Sequence, residues 1–285
     1  MTKIYSEPTV IEYKINITNK CDEDQLNEYI NRLPQHPCVL NPVRVVRENR
    51  EMWLAYKVTT KGTTLQKYIL SKPAHRHTGR LSARISGLFH HKKRLNPIQI
   101  MMQLIDGYEF LLNNHMLTGQ SNINPESIWV EQDDSGNMIA FVINTVEAMT
   151  MGEYDSSNTS YWAPEMLSKY NHAAFYDTTP SIQSLTSKLK RYDTRPSTIS
   201  AVYSLGLILY FIVARHEPFE GTRVNVYDKP PMQLIHDELI QKYILIALVS
   251  DMRERPTLQE FREFIDPTKN TAMCSGCIIF TTTTL

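Results

Sequence analysis

The stretch Leu117 to Gln132, LTGQSNINPESIWVEQ, has the layout of a catalytic loop running into a strand. Ahead of its Pro125–Glu126 pair the polar side chains are hydroxyls and amides, Gln120, Ser121, Asn122 and Asn124, and Ser127 follows that pair. Such groups exchange hydrogen bonds, but proton transfer at neutral pH requires a positioned base. No acid stands between Gly119 and Asn124, so a shifted register does not supply one either.

Other reactive side chains are sparse. Cys21, Cys38, Cys274 and Cys277 form no dense disulfide framework, and the CSGC pair lacks the second Cys or His pair of a zinc site. Free thiols are expected. Residues 72–95, KPAHRHTGRLSARISGLFHHKKRL, carry basic side chains and four histidines but no acid. This is either a solvated surface loop or a docking patch for an acidic protein, phosphate or lipid headgroups. Neighbouring His90 and His91 would make such a patch pH-sensitive. Phe89 is its one aromatic, so nucleic acid is not the expected partner.

The elements that must position these groups divide the chain in two. From Pro8 to Val58, VIEYKINI alternates like a strand, DEDQLNEYINRL has helical spacing, and NPVRVVR and MWLAYKV return to strand. After the Gly62 connector the helical period takes over in LQKYILSK and PIQIMMQLIDGYEFLLNNH. An irregular stretch, 168–200, precedes AVYSLGLILYFIVARHEPF, apolar enough to be buried nearly all round. The block MQLIHDELIQKYILIALVSDMRERPTLQEFREFI reads as helical, and the Thr-rich tail at 269–285 as flexible. Length suits one large two-lobed domain or two ordinary ones. Lys plus Arg equal Asp plus Glu at 30 each, which excludes a global field drawing the chain to nucleic acid or anionic lipid. No run of about 18 apolar residues appears, so neither a membrane span nor a secretory signal is expected, and the expected location is cytoplasmic.

Three landmarks follow in a telling order: NPESIWV, then SYWAPEML, then VYSLGLILYFIV followed by RERPTLQEF. Together they resemble the large lobe of a eukaryotic protein kinase, whose order is HRDxKPEN, DFG, APE, a buried helix and a late Arg before Pro. The resemblance extends over residues 8 to 266 and implies an α+β, bilobal fold with a small β-rich lobe at 1–58 and a mainly helical lobe at 59–268. Residues 72–95 and 168–200 become inserts.

Registered on Pro125 and Glu126, the family's catalytic triplet falls on Gln120, Ser121 and Asn122, its loop lysine on Asn124 and its metal-binding Asn on Ser127. The magnesium-binding Asp of DFG becomes Asn144, followed by Thr145 and Val146. A neutral amide lacks the charge that holds a hard cation. Before Gly62 there is no glycine, so no Gly-rich phosphate loop is expected; Lys14 stands where the phosphate-pairing lysine would, with Glu28 as its candidate helix partner. Tyr56 falls at the bulky gatekeeper position, and Ala201 replaces the Asp that tethers the catalytic loop. Glu165 and Arg255 match the buried ion pair that ties the activation segment to the late helices, and Gly206, Pro218 and Phe219 follow the family pattern.

Catalytic base, loop lysine, metal ligands and glycine loop are thus missing together, so the resemblance implies a degenerate member, a pseudokinase without cofactor. Its expected work is binding: scaffolding, or allosteric contact with a protein such as an active kinase or its substrate. Two alternatives stand beside it, a nucleotide sensor without turnover and a divergent phosphotransferase using Glu147 or Asp155. Hydroxyls in YDSSNTSY offer phosphorylation positions, but the arginine that would read the added charge is Ser121 here.

Overall fold

The computed structural model of the chain describes residues 10–17, 22–48, 51–71, 95–117, 123–146, 156–168, 197–219 and 228–270. Residues 72–94, 169–196 and 271–285, on which the sequence places the two inserts and the tail, lie outside them.

Alternation of β-branched and aromatic residues with polar ones builds the small lobe. Strand β1 (Val10–Ile17) runs antiparallel to β4 (Glu51–Thr59), from Val10 opposite Thr59 to Ile17 opposite Met52, and β3 (Arg44–Glu48) pairs with the other edge of β4. Met52, Leu54, Tyr56 and Val58 are buried at every second position of β4, one face of the sheet. Helix α1 (Glu23–Asn31) starts at Asp22, whose carboxylate accepts from the Asp24 and Gln25 N–H groups. Leu26 and Ile30, one turn apart, are its buried residues, and Asn27 Oδ1 accepts the Val45 N–H of β3 at 2.9 Å.

A second sheet roofs the large lobe in the order β2-β7-β6-β5. It combines β5 (Thr63–Thr64), β6 (Ile128–Gln132) and β7 (Met138–Ile143) with β2 (Val39–Leu40), which pairs parallel to Val142 and Ile143. The sequence gives no sign of β2, because two residues carry no period; it is long-range pairing that makes them a strand. Helix α2 (Leu65–Leu70) follows, and α3 (Pro97–Asn113) packs under β7. Gly107 permits that approach, since a Cβ there would meet the Cys38 carbonyl at 2.7 Å and Val142 Cγ2 at 2.8 Å.

Helix α4 (Thr198–Ala214) is the hub: every residue from Ser200 to Ile212 is buried. Each large aliphatic side chain so buried stabilises by roughly 1.5–3 kcal/mol. A capping box between Ser197 and Ser200 starts the helix, and Arg215 ends it in the left-handed conformation. The C-terminal block is less continuous than its composition predicts. It breaks into a 3-10 turn (Met232–Leu234), α5 (Glu238–Ala247) and α6 (Leu258–Ile265), because Asp237 and Thr257 each cap a fresh start and Pro256 cannot continue a preceding helix.

Candidate functional site

The turn from Asn124 to Ser127 closes on itself. Asn124 Oδ1 accepts from the Glu126 and Ser127 N–H groups at 2.8 and 3.1 Å. In return Ser127 Oγ donates to the Asn124 carbonyl at 2.8 Å and accepts the Asn124 N–H at 3.3 Å, capping the 3-10 turn Pro125–Ser127. Both side chains are buried, and the Tyr108 hydroxyl lies 3.4 Å from Ser127 Oγ. Local turn closure thus occupies both side chains. Asn122 and Glu147 lie outside the described residues.

At the exit of β7, Asn144 is 1% exposed. Its Nδ2 donates to Asn41 Oδ1 at 2.8 Å, its Oδ1 accepts the Val146 N–H at 3.0 Å, and its own N–H donates to the Leu40 carbonyl at 3.0 Å. The amide oxygen that a metal would need already serves the turn. Val146, buried behind it, has φ 56°, a left-handed conformation that costs a β-branched residue about 1–2 kcal/mol.

Tyr56, fully buried, crosses from the small-lobe sheet and donates its hydroxyl to the Asn144 carbonyl at 2.8 Å. On β1, Lys14 lies opposite Ala55, while Tyr13 is the residue opposite Tyr56. Glu28 pairs with Arg32 on the solvent side of α1, and the Lys14 side chain lies outside what the structure describes. Farther along β4, Thr59 Oγ1 donates to Glu131 Oε2 at 2.9 Å, and the same oxygen accepts from Trp129 Nε1 at 3.2 Å. A cavity of about 320 Å³ lies here, lined by Leu40, Lys57, Val58, Thr59, Trp129, Glu131 and Phe141. Gly62 closes over the indole: a Cβ there would lie 2.3 Å from Trp129 Nε1. Sequence reasoning missed Asn41, Trp129 and Glu131, because Asn41 and Glu131 bond residues far away in the chain and Trp129 donates to Glu131.

Beneath this region the structure brings Glu165 and Arg255 together. Arg255 Nη1 and Nη2 donate to the two Glu165 oxygens at 2.9 and 3.1 Å. Its remaining donors reach the Val249, Ile199 and Ser250 carbonyls, and the guanidinium lies 4.9 Å from the centre of the Tyr203 ring. The Tyr161 hydroxyl donates to Glu217 Oε2 at 2.8 Å. Burial, then the adjacent Glu217 carboxylate, push the Tyr161 phenol well above its ordinary range. Ala201 is fully buried in α4, and a Cβ on Gly206 would meet Ala247 Cβ at 2.5 Å, so the glycine sets the α4–α5 approach. Pro218 and Phe219 follow the helix end.

Among the described residues, no three His, Cys, Asp or Glu side chains cluster as metal ligands would, and no helix is long and apolar enough to cross a membrane. The two lobes, the buried hub helix and the strand-turn-strand at 125–143 define an α+β, bilobal protein kinase-like fold. No model of a known protein family matches the chain, nor does any curated protein. Among solved structures it is similar to a chain of the AtMLKL3 tetramer determined by cryo-EM, at 15% sequence identity and a TM-score of 0.50. That match covers 90% of this chain and 40% of the other, so this chain spans about two fifths of its neighbour's length, and the likeness is one of fold.

Proposed function

We propose that the chain is a catalytically inactive protein kinase homologue that acts as a scaffold or allosteric binding partner in cytoplasmic signalling. One observation carries this reading: Asn144, at the position of the family's magnesium ligand, is buried with its amide oxygen and nitrogen both engaged inside the protein. Asn124 and Ser127, tied to each other's backbone, support it. The partner is a protein, an active kinase or its substrate, and the basic residues 72–95 suit an acidic surface on it. In this reading residues 1–58 form a reduced small lobe and 59–268 the large one.

A nucleotide sensor without turnover is the second reading, favoured by the cavity beside Trp129 and Phe141, whose volume is at the lower bound of small-molecule sites. Among the described residues, Lys57 is the one cation lining that cavity.

The deciding experiment is the thermal midpoint of the purified chain with and without millimolar ATP, each with magnesium and with chelator. Ligand at a hundred times its Kd stabilises by about 2.7 kcal/mol, a readily measured shift. No shift in any condition is the expected result. A shift that depends on magnesium would overturn the reading in favour of the sensor or of a working phosphotransferase. Contact through the basic residues is checked by pull-down after deletion of 72–95, which should lose the partner.

A further inference from the structure

The gatekeeper tyrosine does more than fill space. Tyr56 and Asn144 are 88 positions apart, and Asn144 and Asn41 are 103 apart, yet their polar groups meet inside the core. The chain of bonds continues, since Asn41 Nδ2 donates to the Pro34 carbonyl at 2.9 Å, just beyond the end of α1. Four separate segments therefore meet here: the exit of α1, the exit of β2, the middle of β4 and the exit of β7. Buried polar groups are unfavourable unless paired, and when fully paired they hold one arrangement against its neighbours.

Position matters as much as pairing. Tyr56 belongs to the small-lobe sheet, whereas Asn144 follows the strand that forms the roof of the large lobe. A single tie across two lobes lets them rock about it. The second tie, Thr59 to Glu131, lies three residues farther along the same strand, roughly 10 Å away at the rise of a β-strand. A second tie along the same strand restricts that rocking. Val146, held left-handed by the Asn144 side chain, fixes the direction in which the chain leaves the lock.

We propose that Tyr56, Asn144 and Asn41, with Thr59 and Glu131 as the outer tie, form an interlobe lock that holds the two lobes in one orientation. The lock converts residues at a kinase's metal and gatekeeper positions into a fixed joint, and it concerns lobe motion whatever ligand or partner the chain takes. A partner that recognises the closed arrangement binds a preformed surface.

Hydrogen exchange of the intact chain, followed by mass spectrometry, tests this. Tyr56→Phe keeps the ring and removes the hydroxyl, leaving the Asn144 carbonyl without that donor. Peptides spanning 52–59 and 138–146 should then exchange roughly tenfold faster, while peptides of the hub helix, 198–214, keep the wild-type rate. Thr59→Val, which cuts only the outer tie, should loosen the same two segments to a smaller extent. Equal acceleration in the hub helix would mean general destabilisation and overturn the proposal. Wild-type exchange in both segments for both variants would overturn it equally.

Discussion

Arg255 and Glu165, 90 positions apart, meet in a two-pronged ion pair in which the arginine side chain is fully buried and the glutamate side chain 20% exposed. The guanidinium also bonds three backbone carbonyls, at Val249, Ile199 and Ser250, so it holds the turn before α6 against the start of α4 and the APE segment. A lysine offers neither the fork nor five donors.

Removing the carboxylate strands that charge. Glu165→Ala should lower stability by about 3–5 kcal/mol, read from the urea midpoint at constant m-value. Arg255→Lys should be destabilising as well. A loss below about 1 kcal/mol for Glu165→Ala would show that the pair behaves like an exposed one.

Gly206→Ala sets two effects against each other. Alanine favours the helix by about 1 kcal/mol, but its methyl would lie 2.5 Å from Ala247 Cβ, and overpacking costs about 1–3 kcal/mol. Contact with a neighbouring helix, rather than with a flexible side-chain end, makes the steric effect the larger. The variant should be less stable than wild type, and the penalty should shrink when Ala247→Gly is added. An unchanged penalty in that background would exclude the contact as its cause.

An acid placed at position 144 should not create a metal site. Asn144→Asp replaces the donor to Asn41 with a second acceptor and buries a carboxylate, so its folded-state pKa should lie above the unfolded value. Such a group leaves stability intact below the unfolded pKa, about 3.9, and removes it as pH rises through the folded pKa. Thermal midpoints should therefore fall relative to wild type between acid and neutral pH, with no recovery on adding magnesium. Recovery with magnesium would show that a cation reaches position 144.

Tyr161 makes the alkaline side testable. Its phenol is held well above 10 by burial and by Glu217, so the folded chain keeps the proton where the unfolded chain has lost it. That contribution is complete below pH 10 and disappears as pH rises toward the folded value. Stability of the wild type should decline above pH 10 more steeply than that of Tyr161→Phe, measured by urea unfolding at stepped pH. Parallel curves would place the loss elsewhere.

Much of this architecture is legible in the residues. Alternation in VIEYKINI and MWLAYKV is the pleat of β1 and β4, and the strongly apolar run AVYSLGLILYFIVA is the buried hub. Capping residues at Asp22, Asn96, Ser197 and Thr257 mark helix starts because a side chain reaches only two or three residues along the backbone. The single helical block expected over 232–265 shows the limit: composition favours helix throughout, but Asp237 and Pro256 divide it.

The amino-acid sequence by itself determined the strands β1, β3 and β4, the helices α1, α3 and α4, the order of NPE, APE and the late arginine, and the lack of any acid between Gly119 and Asn124. It determined the types of Glu165 and Arg255 as well, though not the carbonyls that complete the arginine's bonding. Only the tertiary structure decided that Asn144 meets Asn41 and Tyr56, that two residues at 39–40 become a strand, and that Gly206 faces Ala247. The physical reason is range. Periodicity and capping act within a turn or two of chain, whereas a buried polar group finds its partner only after loops of a hundred residues have closed and the alternatives have been excluded by packing.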